Sequence, residues 1–232
     1  MPQLLFMPFD PLFLFAVLPA LLFTMWAQFM VKSRFKKYSN QRVIRGITGE
    51  QAAREVLRRA GVSNVSIERV GGNLTDHYDP RTNVIRLSES VYDAPTVAAV
   101  GVAAHEAGHA IQYAIGYFPV RVRQVILPVT NIGSNLAVPL ILAGLIFEMM
   151  GLINIGIVLF GAVVVFQLIT LPVELDASRR AMVALGEARL LTDEELPASR
   201  RVLSAAAWTY VGALAVSLVQ LIRLIALSRG RR

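Results

Sequence analysis

The chain has 232 residues, 55% of them hydrophobic, and its 17% charged share falls below the roughly 25% of an ordinary soluble domain. That balance argues against a water-soluble globule, and the absence of cysteine removes disulfide frameworks, thiolate zinc sites and a cysteine nucleophile together. The formal charge of +7 would suit nucleic acid only if the basic residues gathered on one soluble surface. They lie instead beside long apolar runs, so no nucleic-acid partner is expected.

Crossing a bilayer takes about 20 mostly apolar residues. The first such run is 11–31, uncharged, with Trp26 and Gln28 near the end that meets Lys32. No basic residue precedes it and no small-x-small cleavage pattern follows, so it reads as an uncleaved anchor. Runs at 124–147 and 152–173, joined through Glu148, Met149, Met150 and Gly151, predict a transmembrane hairpin. A fourth, 202–222, is rich in Ala and Gly, the residues that let membrane helices approach closely. The competing reading of these runs is a buried soluble bundle.

Basic residues are retained on the cytoplasmic side of a membrane. Residues 32–45 carry Lys32, Arg34, Lys36, Lys37, Arg42 and Arg45, while 1–10 carry none. The stretch 174–202 carries Arg179, Arg180, Arg189, Arg200 and Arg201, and the hairpin tip carries none. An outward N-terminus with both polar segments cytoplasmic is therefore expected. One conflict remains: four spans put Arg223, Arg229, Arg231 and Arg232 outside, so either the last segment does not cross or the tail breaks the rule.

Between the first two spans, Thr48 and Gln51 form a capping-box pattern at the start of a helix that Gly61 would close. VSIERV (65–70) and VIRLS (84–88) read as short strands, with a loop through Gly71, Gly72, Asn73, Asp79 and Pro80. Asp93 and Pro95 then open a helix running through TVAAVGVAAHEAGHAIQYAIGY.

That helix contains His105-Glu106-Ala107-Gly108-His109, an H-E-x-x-H sequence. Histidines four apart share one helical face, so both imidazoles can reach a single zinc ion, and the adjacent glutamate can take a proton from water. A catalytic zinc site usually adds a third protein ligand. Cysteine is unavailable and His77 is the sole remaining histidine, which makes carboxylates the leading candidates: Glu174 and Asp176, in LITLPVELDASRRA after the third run. The hairpin returns this segment to the side of the H-E-x-x-H helix, and Leu-Pro before it favours a break or kink that would aim a ligand inwards. His77 either approaches the reacting groups or only ties its loop together through Asp76 or Asp79.

With these residues in view, the chain resembles the YugP-type neutral zinc metallopeptidases of bacterial membranes. The resemblance runs through KYSNQR (37–42), LTDHYDPR (74–81), VIRLS (84–88), AAHEAGHAIQ (103–112) and TLPVELDASRRA (170–181). It implies a membrane-embedded zinc peptidase similar in layout to the HtpX-type and CAAX-prenyl peptidases. Those use H-E-x-x-H with a later Glu in an E-x-x-A-D pattern; Glu174 and Ala177 match it, while Ser178 replaces the Asp. This leaves Glu174 as the third ligand, puts any supporting role for position 178 in doubt, and leaves Arg179 or Arg180 a different one.

The expected fold is a mainly α membrane protein of about four transmembrane helices with a small cytoplasmic α+β zinc-peptidase domain built on a zincin-like active helix. Its segments are an anchor (1–31), a peptidase segment (32–123), the hairpin (124–173), a segment with the third ligand (174–201), and a last helix with a basic tail (202–232). The expected function is a zinc-dependent endopeptidase with His105, His109 and Glu174 on Zn2+ and Glu106 as general base. Its substrates would be membrane-associated polypeptides near the cytoplasmic surface of the bacterial membrane, bound along the edge of VIRLS unless that strand is internal. Two rivals are a site-two-type intramembrane protease using Asp176 and a non-catalytic membrane assembly factor. Only about ten residues separate Asp93 from His105, too few for the span the first requires; Glu106 argues against the second, since a structural metal needs no general base. An FtsH-type machine is excluded because no G-x-x-x-x-G-K-[ST] phosphate loop is present.

Overall fold

A computed structural model describes residues 10–229. The first nine residues and residues 230–232, Arg231 and Arg232 of the basic tail among them, therefore lie outside the described residues. Two compact units emerge, each discontinuous in sequence: Met1–Ala27 with Arg121–Leu171 and Trp208–Arg232, and Gln28–Val120 with Pro172–Ala207.

The first unit draws on four helices: α1 (Phe13–Tyr38, opening with a π-helical turn), α5 (Phe118–Ile146), α6 (Met150–Glu187) and α7 (Leu196–Arg229). Each is long and apolar enough to cross a membrane, and at most 22% of its most apolar stretch is buried within the protein. A soluble bundle would bury such surfaces against itself, so the covering medium is lipid. The helices outrun the apolar sequence runs at one or both ends because helical hydrogen bonding does not stop where hydrophobicity does. At about 1.5 Å per residue, the 34 residues of α7 exceed the roughly 30 Å hydrocarbon core, so length does not prevent it from crossing.

Within this unit, contacts form where a side chain is missing. A Cβ on Gly133 would lie 2.5 Å from the Leu159 carbonyl, one on Gly156 2.8 Å from the Ala137 carbonyl, and one on Gly212 2.7 Å from Thr24 Oγ1. Helices α1 and α7 run antiparallel: Phe23 meets Trp208 edge-on at 6.0 Å, and Arg223 bonds Asp10 at 2.6 and 2.7 Å. Asp10 also accepts from the Phe13 N–H at 2.9 Å, capping α1. Arg223, counted above as tail charge, is thus neutralised by a buried carboxylate.

The second unit is α+β. Helix α2 (Gly49–Arg59) carries both reciprocal bonds of the Thr48–Gln51 box, and Gly61 closes it at φ +71°. Strands β1 (Ser66–Val70) and β3 (Val84–Ser88) pair in parallel, and the segment read as a loop holds a further strand, β2 (His77–Asp79), antiparallel to β3. Three residues give no alternation to read. The register His77–Arg86, Tyr78–Ile85, Asp79–Val84 makes them a strand. The order β1-β3-β2 puts VIRLS in the centre with both edges paired, so it offers no edge to a substrate.

After the short α3 (Glu89–Tyr92), helix α4 (Val97–Ala114) starts later than expected. Thr96, not Asp93, caps it, accepting from the Ala99 N–H, while Asp93 pairs with Arg69 at 2.5 Å. Gly116 at φ +63° turns the chain into α5. Helix α4 is the axis of this unit: Ala98, Ala99, Ala103, Ala104 and Ala107 are fully buried, packed with Val56 and Leu57 of α2 and Leu185 of α6. Pro172 does not break α6, which runs unbroken to Glu187. Glu174 is therefore aimed by helical phase, together with Val173, Ala177 and Ala181 on the buried face.

One carboxylate fastens the loops of this unit. Glu195 accepts from the Ile44 N–H and the Thr192 N–H, each at 2.8 Å, and is almost wholly buried. Glu195→Ala would leave two backbone donors without their partner, a loss of about 1–3 kcal/mol. Thermal unfolding of the solubilised protein is expected to show it, with the exposed Asp193→Ala changing stability by less than about 0.5 kcal/mol.

Candidate metal centre

His105 and His109 project from one face of α4, their rings 4.7 Å apart and nearly perpendicular. Glu174 approaches from α6, with Oε2 3.3 Å from Nε2 of each histidine. All three donor atoms lie within 4.8 Å of one another. Donors held about 2.0–2.1 Å from a tetrahedral ion stand about 3.3 Å apart, so the spacing suits zinc, as does the set of two imidazole nitrogens and one carboxylate oxygen.

What sets this spacing is the helix approach. A Cβ on Gly108 would fall 2.6 Å from the Ala177 carbonyl oxygen, so α6 rests directly on the α4 backbone between the two histidines. Gly101, two turns earlier, leaves room for the Ser199 side chain of α7.

The outer imidazole nitrogens are held as well. His105 Nδ1 lies 3.1 Å from Ser178 Oγ, and His109 Nδ1 lies 3.1 Å from Gln112 Oε1. An amide oxygen only accepts, so Nδ1 of His109 carries the proton and its Nε2 lone pair faces Glu174. Two imidazole nitrogens and a carboxylate oxygen thus converge, an arrangement that favours a cation between them. Burial by itself disfavours a charged His109, yet the Glu174 carboxylate outweighs it and lifts the imidazole above its ordinary value.

The remaining candidates divide. Asp176 is not part of the group: it accepts from Gln112 Nε2 at 2.9 Å and is held by Arg179 at 2.6 Å and Arg180 at 2.5 Å. This gives the arginine pair its supporting part. Ser178 does contact a histidine, so replacement of the Asp in E-x-x-A-D keeps a hydrogen-bonding group where one is needed. His77 stands apart on β2, its Nδ1 on the Thr75 carbonyl at 2.8 Å. Asp76 binds Ser88 instead of His77, and burial lifts its carboxyl above the usual range. Glu106 is buried on α4, and no hydrogen bond or ion pair from the described residues occupies its carboxylate. Gln112 was not foreseen; its place three residues after His109, one turn along the helix, was the available signal.

A helix-borne histidine pair joined by a carboxylate from a second helix, in a chain with four lipid-crossing candidates, defines a membrane protein with a candidate zinc centre. The family described as "Putative neutral zinc metallopeptidase" matches residues 13–229. The chain is also 46% identical over 214 residues to "Putative membrane protease YugP" of Bacillus subtilis (strain 168), covering 92% of this chain and 95% of that protein. No solved structure matches. The chain belongs to this zinc metallopeptidase family, and zinc is its metal.

Gly108→Ala is expected to force α4 and α6 apart at a cost of about 1–3 kcal/mol. The separation should be read as a lower melting temperature together with weaker zinc binding in chelator competition.

Proposed function

We propose that this protein is a membrane-bound zinc endopeptidase in which His105, His109 and Glu174 hold the metal and Glu106 is the general base. The observation that carries the proposal is the convergence of three donor atoms at zinc spacing beside a buried carboxylate that no other described residue engages. Zinc in such a site lowers the pKa of water to about 7 and polarises a carbonyl. Glu106 would take the proton of the attacking water and deliver it to the leaving amine. Ser178 and Gln112 orient the two imidazoles, and the burial of Glu174 keeps competing water from its carboxylate.

The substrate we propose is a membrane-associated polypeptide, bound extended. The outer edge of β2 pairs with no strand among the described residues, and Tyr78 on β2 packs against Tyr113 of α4 at 5.4 Å, next to the active helix. Main-chain bonding to such an edge tolerates many sequences. Glu174 rides on a helix that is itself apolar enough to cross, which supports cleavage near the membrane surface. The basic residues of 32–45 support a cytoplasmic face and contact with anionic headgroups.

Glu106→Gln is expected to bind zinc as tightly as the wild type while cleaving a membrane-anchored polypeptide in proteoliposomes about 10²–10⁴-fold more slowly. Failure of the wild type to cleave any such polypeptide in a Glu106-dependent way would shift the reading to a non-catalytic assembly factor. Single cysteines introduced at the exposed Asn40 and Glu194 should label from one side of the membrane and a cysteine at Glu148 from the other; labelling of positions 40 and 194 from opposite sides would overturn the topology.

A further inference from the structure

Gln112 is fully buried in a helix whose inward face is otherwise mostly alanine, valine and glycine. A buried amide is costly unless its hydrogen bonds are made, and a methionine would fill similar volume without that cost. Here three of the amide's four hydrogen bonds are made, both donors among them. Oε1 takes the His109 Nδ1 proton, while Nε2 donates to the Val173 carbonyl at 2.8 Å and to Asp176 Oδ2 at 2.9 Å. Val173 immediately precedes Glu174. One side chain therefore holds an imidazole on α4 and the backbone beside the carboxylate on α6.

The sense of the amide is set from α6. Asp176 has both oxygens on guanidinium groups, Oδ1 on Arg179 and Oδ2 on Arg180, which keeps it an acceptor facing Gln112. With the Val173 carbonyl also accepting, only the amide nitrogen can face α6, and the oxygen is left for His109. Turned the other way, the amide would offer a donor to His109, place the proton on the imidazole nitrogen that faces Glu174, and remove that lone pair from the centre.

We infer that Gln112 is the positioning residue that joins the two halves of the metal centre, with Asp176, clamped by Arg179 and Arg180, fixing the direction of its amide. The inference rests on the zinc-site reading above and adds to it a relay that touches neither zinc nor substrate.

The test is zinc affinity by chelator competition on full-length protein in detergent, with cobalt(II) substitution to report ligand geometry. Gln112→Met is expected to bind zinc about 10- to 100-fold more weakly and to alter the cobalt visible bands, while its metal-free melting temperature shows that it folds. Asp176→Asn supplies a second reading if Gln112→Met fails to fold. With the Asn oxygen kept on Arg179, its NH2 stands where Oδ2 faced Gln112 and Arg180, so the Gln112 amide loses one of its two acceptors on α6 and only the Val173 carbonyl still fixes its direction. Imidazole ¹⁵N shifts of metal-free protein should then show part of His109 protonated at Nε2, with weaker zinc binding than the wild type. Wild-type zinc binding that is lost in His105→Ala yet unchanged in both Gln112→Met and Asp176→Asn would overturn this inference alone. A wild-type chain that binds no zinc, or a His105→Ala variant that binds it equally well, would overturn the zinc-site reading and the relay with it.

Discussion

The candidate centre depends on one close approach, between the α4 backbone at Gly108 and the α6 backbone at Ala177. Two histidines on a helix define a line of donors, and a third donor must arrive from elsewhere at about 3.3 Å. Any side chain at position 108 would hold α6 away by roughly its own radius, and Glu174 has few rotatable bonds with which to make up the difference. The residue between the histidines is thus constrained by the neighbouring helix, not by the metal. Once that contact is fixed, the buried face of α6 delivers Glu174, Ala177 and Ser178 to α4 in one helical phase, and the alanines of α4 let α2 and α6 pack around it.

The same device operates elsewhere in the molecule. Gly133 and Gly156 close the α5–α6 hairpin, and Gly212 admits α1 to α7. Lipid provides no hydrophobic reward for bringing two apolar helices together, so close van der Waals contact must supply the attraction. In the second unit buried Val, Leu and Ala form the core, yet close approaches of α4 to α6 and α7 again use glycine. Precision of spacing, more than burial, is what Gly101 and Gly108 contribute there.

Much of this was legible in the sequence because it is encoded locally. Four apolar runs gave four apolar helices, Thr48 with Gln51 gave a helix start, and His105 with His109 gave two donors on one face. Glu174 and Asp176 could be named together because a hairpin must return the chain to its starting side, and the family resemblance chose Glu174. What escaped was non-local or too short to carry a period. β2 is three residues made into a strand by its register with β3, and Pro172 reads as a breaker although α6 carries on through it. Whether VIRLS had a free edge stayed open in the sequence, because alternation reports one buried face and is silent about neighbours. Asp176 and Glu174 stand two apart in sequence, and only their partners in space tell them apart: an arginine pair for Asp176 and a histidine pair for Glu174.

Five carboxylates are buried among the described residues: Asp10, Glu106, Glu174, Asp176 and Glu195. Removing a carboxylate from water costs several kcal/mol unless partners replace the lost hydration. Asp10 has Arg223, Glu174 has two imidazoles, Asp176 has an amide and two guanidinium groups, and Glu195 has two backbone N–H groups. Each of these four has an account in structural terms. Glu106 has no such partner, although its charge lies close enough to His109 to favour that imidazole's protonated form. Glu106 thus differs from the other four in that no side chain or backbone group of the described residues engages its carboxylate. That difference supports the proposal that Glu106 moves the protons, since a purely structural metal site gains nothing from an unengaged base beside it.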